Sequence, residues 1–227
     1  MSSPGSYLHF DGVQSYIEIA DDPDFSLPTT GELTISAWIR PATLTFPNSE
    51  KGYVHWMGKG GTGEQEWVCR MYSADNNVGR ANRISFYVFN KSGGEGIGSH
   101  FQDPHNPVQI GVWLNVVGAA DTERTYIYID GSMKDSDVYN PGVQPERGTA
   151  PVRIGTRDFN SYFEGEIREV RFWNRKLQDS EIAALYASDS VPQNGLVAEY
   201  LLLQDIAPDT SQGHDGSING ATWIPQQ

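Results

Sequence analysis

Leu33-Thr34-Ile35-Ser36-Ala37-Trp38-Ile39 sends Leu33, Ile35, Ala37 and Ile39 to one side of an extended chain and Thr34, Ser36 and Trp38 to the other, and Pro41 stops it. Strict two-residue alternation marks a strand with one buried face, because successive side chains leave a pleated backbone in opposite directions. Proline has no N–H to give to a ladder and ends the run. The same pattern spreads outward from this stretch. Trp67, Cys69 and Met71 alternate with Val68, Arg70 and Tyr72, and Ile84, Phe86 and Val88 alternate with Ser85, Tyr87 and Phe89. Further strands are expected over 113–119, 125–129, 152–155, 167–173, 196–202 and 221–224. Tyr7 to Phe10, the turn pair Asp11-Gly12 and Tyr16 to Ile19 read as an opening hairpin, and Asp130-Gly131 closes another.

One segment breaks the pattern. Ile182, Leu185 and Tyr186 fall at i, i+3 and i+4, with Asp179 as the expected N-cap. This predicts a short helix near 179–187 that plugs an end of the fold. The segments 43–52, 73–82 and 135–150 read as long loops. Strands without intervening helices imply antiparallel sheets rather than a βαβ array. No linker composition or repeat divides the chain, so the expectation is a single all-β domain over 1–227.

Composition narrows the function. The 227 residues carry a net charge of −13, with 29 acidic against 16 basic residues. They hold no cluster of Lys and Arg able to neutralise phosphates, which excludes nucleic acid and disfavours anionic membranes. No apolar run is long enough for a membrane span. Cys69 is the only cysteine, so there is no internal disulfide and no cysteine-built zinc site, and its place in an apolar strand predicts a buried, inert thiol. Met1-Ser2-Ser3-Pro4-Gly5 is not a signal peptide, which fits either a cytosolic protein or a piece of a larger secreted one.

Several stretches, in order along the chain, carry a family resemblance. They are Phe10-Asp11-Gly12 with Tyr16 to Ile19, Leu33 to Ile39, Met57-Gly58-Lys59-Gly60, Trp113 with Val116-Val117, Ile127-Tyr128-Ile129-Asp130-Gly131, Phe163 to Leu177, and Asp209 to Gly213 with Trp223. On these the chain resembles the laminin G-like domains of the concanavalin A-like lectin and glucanase superfamily. The resemblance implies a two-sheet antiparallel jelly-roll sandwich, one sheet concave, with the first and last strands adjacent. It also implies an extracellular or cell-surface setting. The chain departs from the family at Gln14-Ser15, Leu114-Asn115 and Arg168.

Two candidate sites follow. By resemblance, Asp11, the carbonyl of Gly12, Glu169 and Asp209 would hold a structural Ca²⁺, which takes six to eight oxygen ligands. The alternative is that Asp11-Gly12 is only a turn and Glu169 pairs with Arg168 or Arg171. For saccharide binding, exposed aromatics stack on sugar faces while polar side chains read the hydroxyls. The outward residues Arg70, Tyr72 and Tyr87 form such a surface, which Trp56 and the loop 98–106, with His100 and Asp103, would wall. The bland reading is that these aromatics are packing.

No stretch reads as a catalytic centre. A glucanase pair needs carboxylates on one face of a strand, and Glu164-Gly165-Glu166-Ile167-Arg168-Glu169 has Arg168 where an Asp would be needed, with Glu169 opposite unless a bulge intervenes. His100 and His105 do not have zinc spacing. The leading expectation is a non-catalytic recognition domain that binds carbohydrate or a glycan-bearing surface as a lectin would. The alternatives are a protein-binding adhesion or structural module, and a polysaccharide lyase or glycoside hydrolase on the same fold.

Overall fold

The computed structural model describes residues 6–47, 52–61, 63–90, 92, 95–140, 144–188, 190–202 and 213–225. Two antiparallel sheets face each other. The eight-stranded sheet runs β10 (Ser132–Val138), β9 (Arg124–Ile129), β8 (Leu114–Ala120), β3 (Leu33–Pro41), β12 (Glu164–Trp173), β1 (Ser6–Asp11) and β15 (Thr222–Pro225), and β13 (Leu196–Tyr200) also pairs with β12. The seven-stranded sheet runs β14 (Gly216–Asn219), β2 (Tyr16–Ile19), β11 (Val152–Ile154), β4 (Tyr53–Lys59), β5 (Trp67–Tyr72), β6 (Ile84–Asn90) and β7 (Glu95–Phe101). Strands from all parts of the sequence are interleaved in both sheets, as a jelly-roll sandwich requires. β1 lies between β12 and β15, so the first and last strands are neighbours, with Leu8 opposite Trp223.

The core between the sheets is made by the residues that alternation points inward. Leu33, Ile35, Ala37 and Ile39 from one sheet and Trp67, Cys69, Met71, Ile84, Phe86 and Val88 from the other belong to one buried cluster. Burial pushes the Cys69 thiol far above its ordinary range, so it stays protonated and inert. At the Asp130-Gly131 hairpin both residues have positive φ (49° and 73°), the geometry that matches the twist of paired strands. No helix among the described residues is long and apolar enough to cross a membrane.

Three expectations are corrected. Asp11-Gly12 does not close a hairpin: β1 and β2 belong to different sheets, and the turn carries the chain from one layer to the other. The helix α2 (Asp179–Ser188) does not plug an end. Its Ile182 and Leu185 pack with Val117, Tyr128, Trp173 and Leu177, a second cluster on the outer face of the eight-stranded sheet. Asp179 is not its cap. The Ile182 N–H donates to the Gln178 carbonyl, the Glu181 carboxylate accepts from the Gln178 N–H at 2.8 Å, and Asp179 accepts from the Tyr128 hydroxyl. That places the N-cap at Gln178, one residue earlier than expected, with Glu181 supplying the reach-back half of a capping box. A 3-10 turn (Pro23–Phe25) and the helix α1 (Leu27–Thr30) close the way into β3 and bury Phe25.

Candidate functional site

Residues paired across an antiparallel sheet share a face, so the ladder fixes what the outer surface of the seven-stranded sheet presents. One row runs His55, Arg70, Ser85, His100, and beside it Tyr53 faces Tyr72 and Val68 faces Tyr87. Neighbouring strands lie ~4.8 Å apart, which puts Arg70 and His100 roughly 10 Å from each other.

Arg70 is the centre of this face. Its guanidinium carbon lies 4.4 Å from the Tyr87 ring centroid, 4.9 Å from Tyr53 and 5.4 Å from Tyr72. The negative faces of three rings hold the cation in place. Its Nε is buried without a hydrogen-bond acceptor, as is the neighbouring Ser85 Oγ. Against Arg70 opens a cleft of about 440 Å³ lined by Tyr53, Tyr72, Asn76, Asn77, Val78 and Arg80. Arg80 donates from Nη1 to the Tyr72 hydroxyl at 3.0 Å, and its guanidinium lies 5.5 Å from that ring. The Asn76 amide oxygen accepts from the backbone N–H of Val78 and Arg80, which shapes the loop over the cleft.

On the other side of Arg70 the sheet is covered. The segment 155–163 folds over β11 and β4, and Arg157 lies across Gly58, where a Cβ would come within 2.9 Å of the arginine side chain. Asp158 is clamped by Arg157 and lies 3.7 Å from His55 Nδ1. Burial first, and then the charges of Arg157 and Arg70, push His55 down to about 4, so the ring is neutral at pH 7. Burial works against ionisation of Asp158, but its contacts with His55 and Arg157 outweigh it and hold the carboxyl below the usual range. The open part of this face is therefore the β5–β6–β7 side.

Of the residues expected to bind ligand, Arg70, Tyr72 and Tyr87 come together here. His100 and Asp103 line a neighbouring shallow cleft with Lys134 and Asp135. Burial and the nearby Arg83 charge lower the His100 pKa. Trp56 does not wall the surface: it is 1% exposed and belongs to the core. Trp56 follows the outward-facing His55, so plain alternation along β4 points it inward with Val54. The β-bulge between His55 and Met57 adds a residue to this strand and turns Met57 inward as well. Tyr53, Arg80 and the buried His55–Asp158 pair are missing from the sequence reading. The polar run Asn76-Asn77 and the arginine after Gly79 were the available signal for the cleft loop.

The expected calcium ligands do not converge. Asp11 sits opposite Glu164 in the β1–β12 register. Glu169 is five residues farther along β12, roughly 15 Å away at the rise of a strand. It sits in a second bulge with φ 53° and pairs with Arg168 at 3.4 Å and Arg171 at 3.3 Å. Asp209 lies outside the described residues. Asp11 Oδ1 accepts the N–H groups of Val13, Gln14 and Ser15 at 2.9–3.0 Å around the positive φ of Gly12. Burial opposes ionisation of Asp11, but these bonds dominate and hold it down to about 2. Asp11 is a turn organiser. Asp11→Ala is expected to cost about 1–2 kcal/mol, by the same amount in calcium and in chelator; a loss seen only with calcium present would reinstate the metal. Two other sets bring three potential ligand atoms within 4.8 Å of one another: Asp22, Asp24 and His214, and His100, Asp135 and Asp137.

The eight-stranded sheet carries its own arginine–aromatic group on its outer face. Arg168 lies 4.6 Å from the Trp113 ring, 5.3 Å from Trp38 and 5.5 Å from Tyr7, and Arg40 joins it over Tyr7 and Trp113. Here the charges are neutralised internally, Arg40 by Glu166 at 2.8 Å and Arg168 by Glu169. Glu166 also accepts from or pairs with His9 at 3.0 Å. The bulge that would let Glu169 share a face with Glu166 is present, but arginines engage both carboxylates.

The comparisons agree with this architecture. A family model described as the concanavalin A-like lectin/glucanases superfamily matches residues 11–183. Direct sequence comparison with curated proteins gives no significant match. Among solved structures, a candidate carbohydrate-binding protein from Bacteroides ovatus aligns over 99% of this chain and 61% of its own, at 17% identity and a TM-score of 0.68. The chain thus spans about three-fifths of that protein. A native heptameric SAP-like pentraxin from Limulus polyphemus aligns over 98% of this chain and 96% of its own, at 13% identity and a TM-score of 0.64. The binding domain of botulinum neurotoxin DC, in complex with SialylT, aligns over 84% of this chain and 44% of its own, at 16% identity and a TM-score of 0.58. At these identities what is shared is the fold. The interleaved sheets and the matched length together show that the chain belongs to the concanavalin A-like lectin/glucanases superfamily.

Proposed function

We propose that this protein is a non-catalytic carbohydrate-binding module that receives its ligand on the outer face of the seven-stranded sheet. The observation that carries this reading is the Arg70 guanidinium held between Tyr53, Tyr72 and Tyr87 at the mouth of a polar cleft. The half-buried Tyr53 and Tyr87 rings offer flat apolar surface to a pyranose, while the buried Tyr72 holds the arginines in place. The amides of Asn76 and Asn77 and the two guanidiniums offer donors and acceptors to its hydroxyls, the usual division of labour in a small-ligand site. Because these groups are already held by one another, little conformational freedom is lost on binding. The carbohydrate-binding description of the Bacteroides ovatus relative supports the class of ligand but does not locate the site.

A glycan array followed by titration of the best ligand tests the proposal. Tyr87→Ala and Arg70→Met should each weaken binding about tenfold or more while leaving the fold intact by circular dichroism. Binding confined to proteins, with no sugar displacing it, would replace this reading with that of an adhesion module. Release of reducing ends or unsaturated products from polysaccharides would replace it with that of an enzyme.

A further inference from the structure

We propose that the Arg70–Arg80 cleft selects saccharides carrying an anionic substituent, a carboxylate or a sulfate; this rests on the carbohydrate reading above and names its ligand class. The chain is strongly acidic, with 29 acidic residues against 16 basic. An arginine in such a molecule readily finds a carboxylate, and Arg40, Arg153, Arg157 and Arg171 each have one within 2.8 Å. Arg70, Arg80 and Arg83 have none within 4.0 Å among the described residues, and the first two line one cleft whose lining contains no Asp or Glu. No carboxylate among the described residues pairs with either guanidinium of this cleft.

The contrast with the opposite sheet sharpens the point. Arg40 and Arg168 lie among aromatic rings in the same manner, yet Glu166 and Glu169 neutralise them. At the cleft the aromatic setting is present, and no counter-charge pairs with it among the described residues. Arg70 is held on three rings with its Nε buried and lacking an acceptor, an arrangement that costs free energy until an acceptor arrives. Tyr72 carries both guanidiniums, at 5.4 and 5.5 Å from its ring centre, and its hydroxyl fixes Arg80. Two oriented guanidinium forks suit the paired oxygens of a carboxylate or sulfate better than a neutral hydroxyl. Arg83 stands just beyond, turned to the Gln102 side-chain oxygen at 3.0 Å, and extends the positive field along the strand ends.

Matched pairs of probes decide the question: sialyllactose against lactose, trigalacturonate against galactotriose, and a sulfated galacto-oligosaccharide against its unsulfated parent, titrated at low and high sodium chloride. The expected result is that at least one acidic member binds about tenfold or more tighter than its neutral counterpart. High salt should narrow the gap, and Arg80→Gln should bring the pair within about twofold. Arg80 is exposed, so the melting temperature of Arg80→Gln should match that of the parent and exclude misfolding. Equal affinity within every pair, or tighter neutral sugars, overturns the anionic selection and leaves the carbohydrate reading standing. No binding by any probe, acidic or neutral, overturns both. Acidic preference that survives Arg80→Gln unchanged overturns the assignment to this cleft.

Discussion

Lys59→Met is expected to destabilise the protein by about 3–5 kcal/mol, roughly a 10 °C fall in melting temperature for a chain of this size. Lys59 is fully buried. Its ammonium donates to Asp21 Oδ1 at 2.6 Å and to the Gly148 and Ala150 carbonyls at 2.8 and 3.1 Å, and lies 3.3 Å from the equally buried Glu66. Glu66 in turn accepts from the Gly148 N–H at 3.1 Å. One side chain thus ties β4 to the segment before β11 and to the turn after β2. Removing it leaves the Glu66 charge buried with no cation, which is far worse than having no pair at all. Lys59→Met combined with Glu66→Gln should therefore recover a large part of the loss. A single variant that melts within about 2 °C of the parent would show that the pair contributes little.

Acid is expected to weaken the fold through His55. Its pKa is pushed down to about 4 in the folded protein, against about 6.5 in an unfolded chain. Between these values the unfolded chain binds the proton and the folded one does not, so stability falls as pH drops. The loss begins near pH 6.5 and is complete below about pH 4. The expected change is about 2 kcal/mol between pH 7 and pH 5, approaching about 3 kcal/mol below pH 4. Chemical denaturation across this range checks it, with His55→Gln as the comparison. The variant should lose this part of the pH slope and keep the rest. Equal slopes in parent and variant would refute the assignment. In the folded protein His55 takes up its proton only near pH 4, so the ring beside Arg70 stays neutral over most of the window in which stability is lost.

The sequence disclosed those strands whose inward positions are large and apolar, such as Leu33 to Pro41 and Ile84 to Asn90, since burial of one face writes a period of two. It hid strands that need no such face. β10, with Met133, Lys134 and Asp135, is a polar edge strand whose exposed residues carry no alternation. β7 contains Gly96 and Gly98, and a Cβ at Gly98 would come within 2.1 Å of the Phe86 carbonyl oxygen, so close packing against β6 demanded the residue that erases the signal. β4 was concealed by its bulge, which puts Trp56 and Met57 on the same side and erases the period of two.

The site was legible to the same degree. Arg70, Tyr72 and Tyr87 were readable as outward positions flanking known inward ones. Tyr53 and Arg80 were not, because β4 and the cleft loop were the parts the pattern left blank. The separation of Asp11 from Glu169 was hidden for a different reason: they lie on adjacent strands, but local sequence carries no information on their register.

The pairing of β1 with β15 has a mechanical consequence. Ser6 stands opposite Pro225 and His9 opposite Thr222, so the two ends of the described chain leave the sheet side by side. Tension drawn between those ends opens the ladder one rung at a time, as a zipper opens, instead of shearing all its rungs together. β15 peels away first while β12 still grips β1, so the earliest yielding leaves the sheet face that carries Arg70 undisturbed.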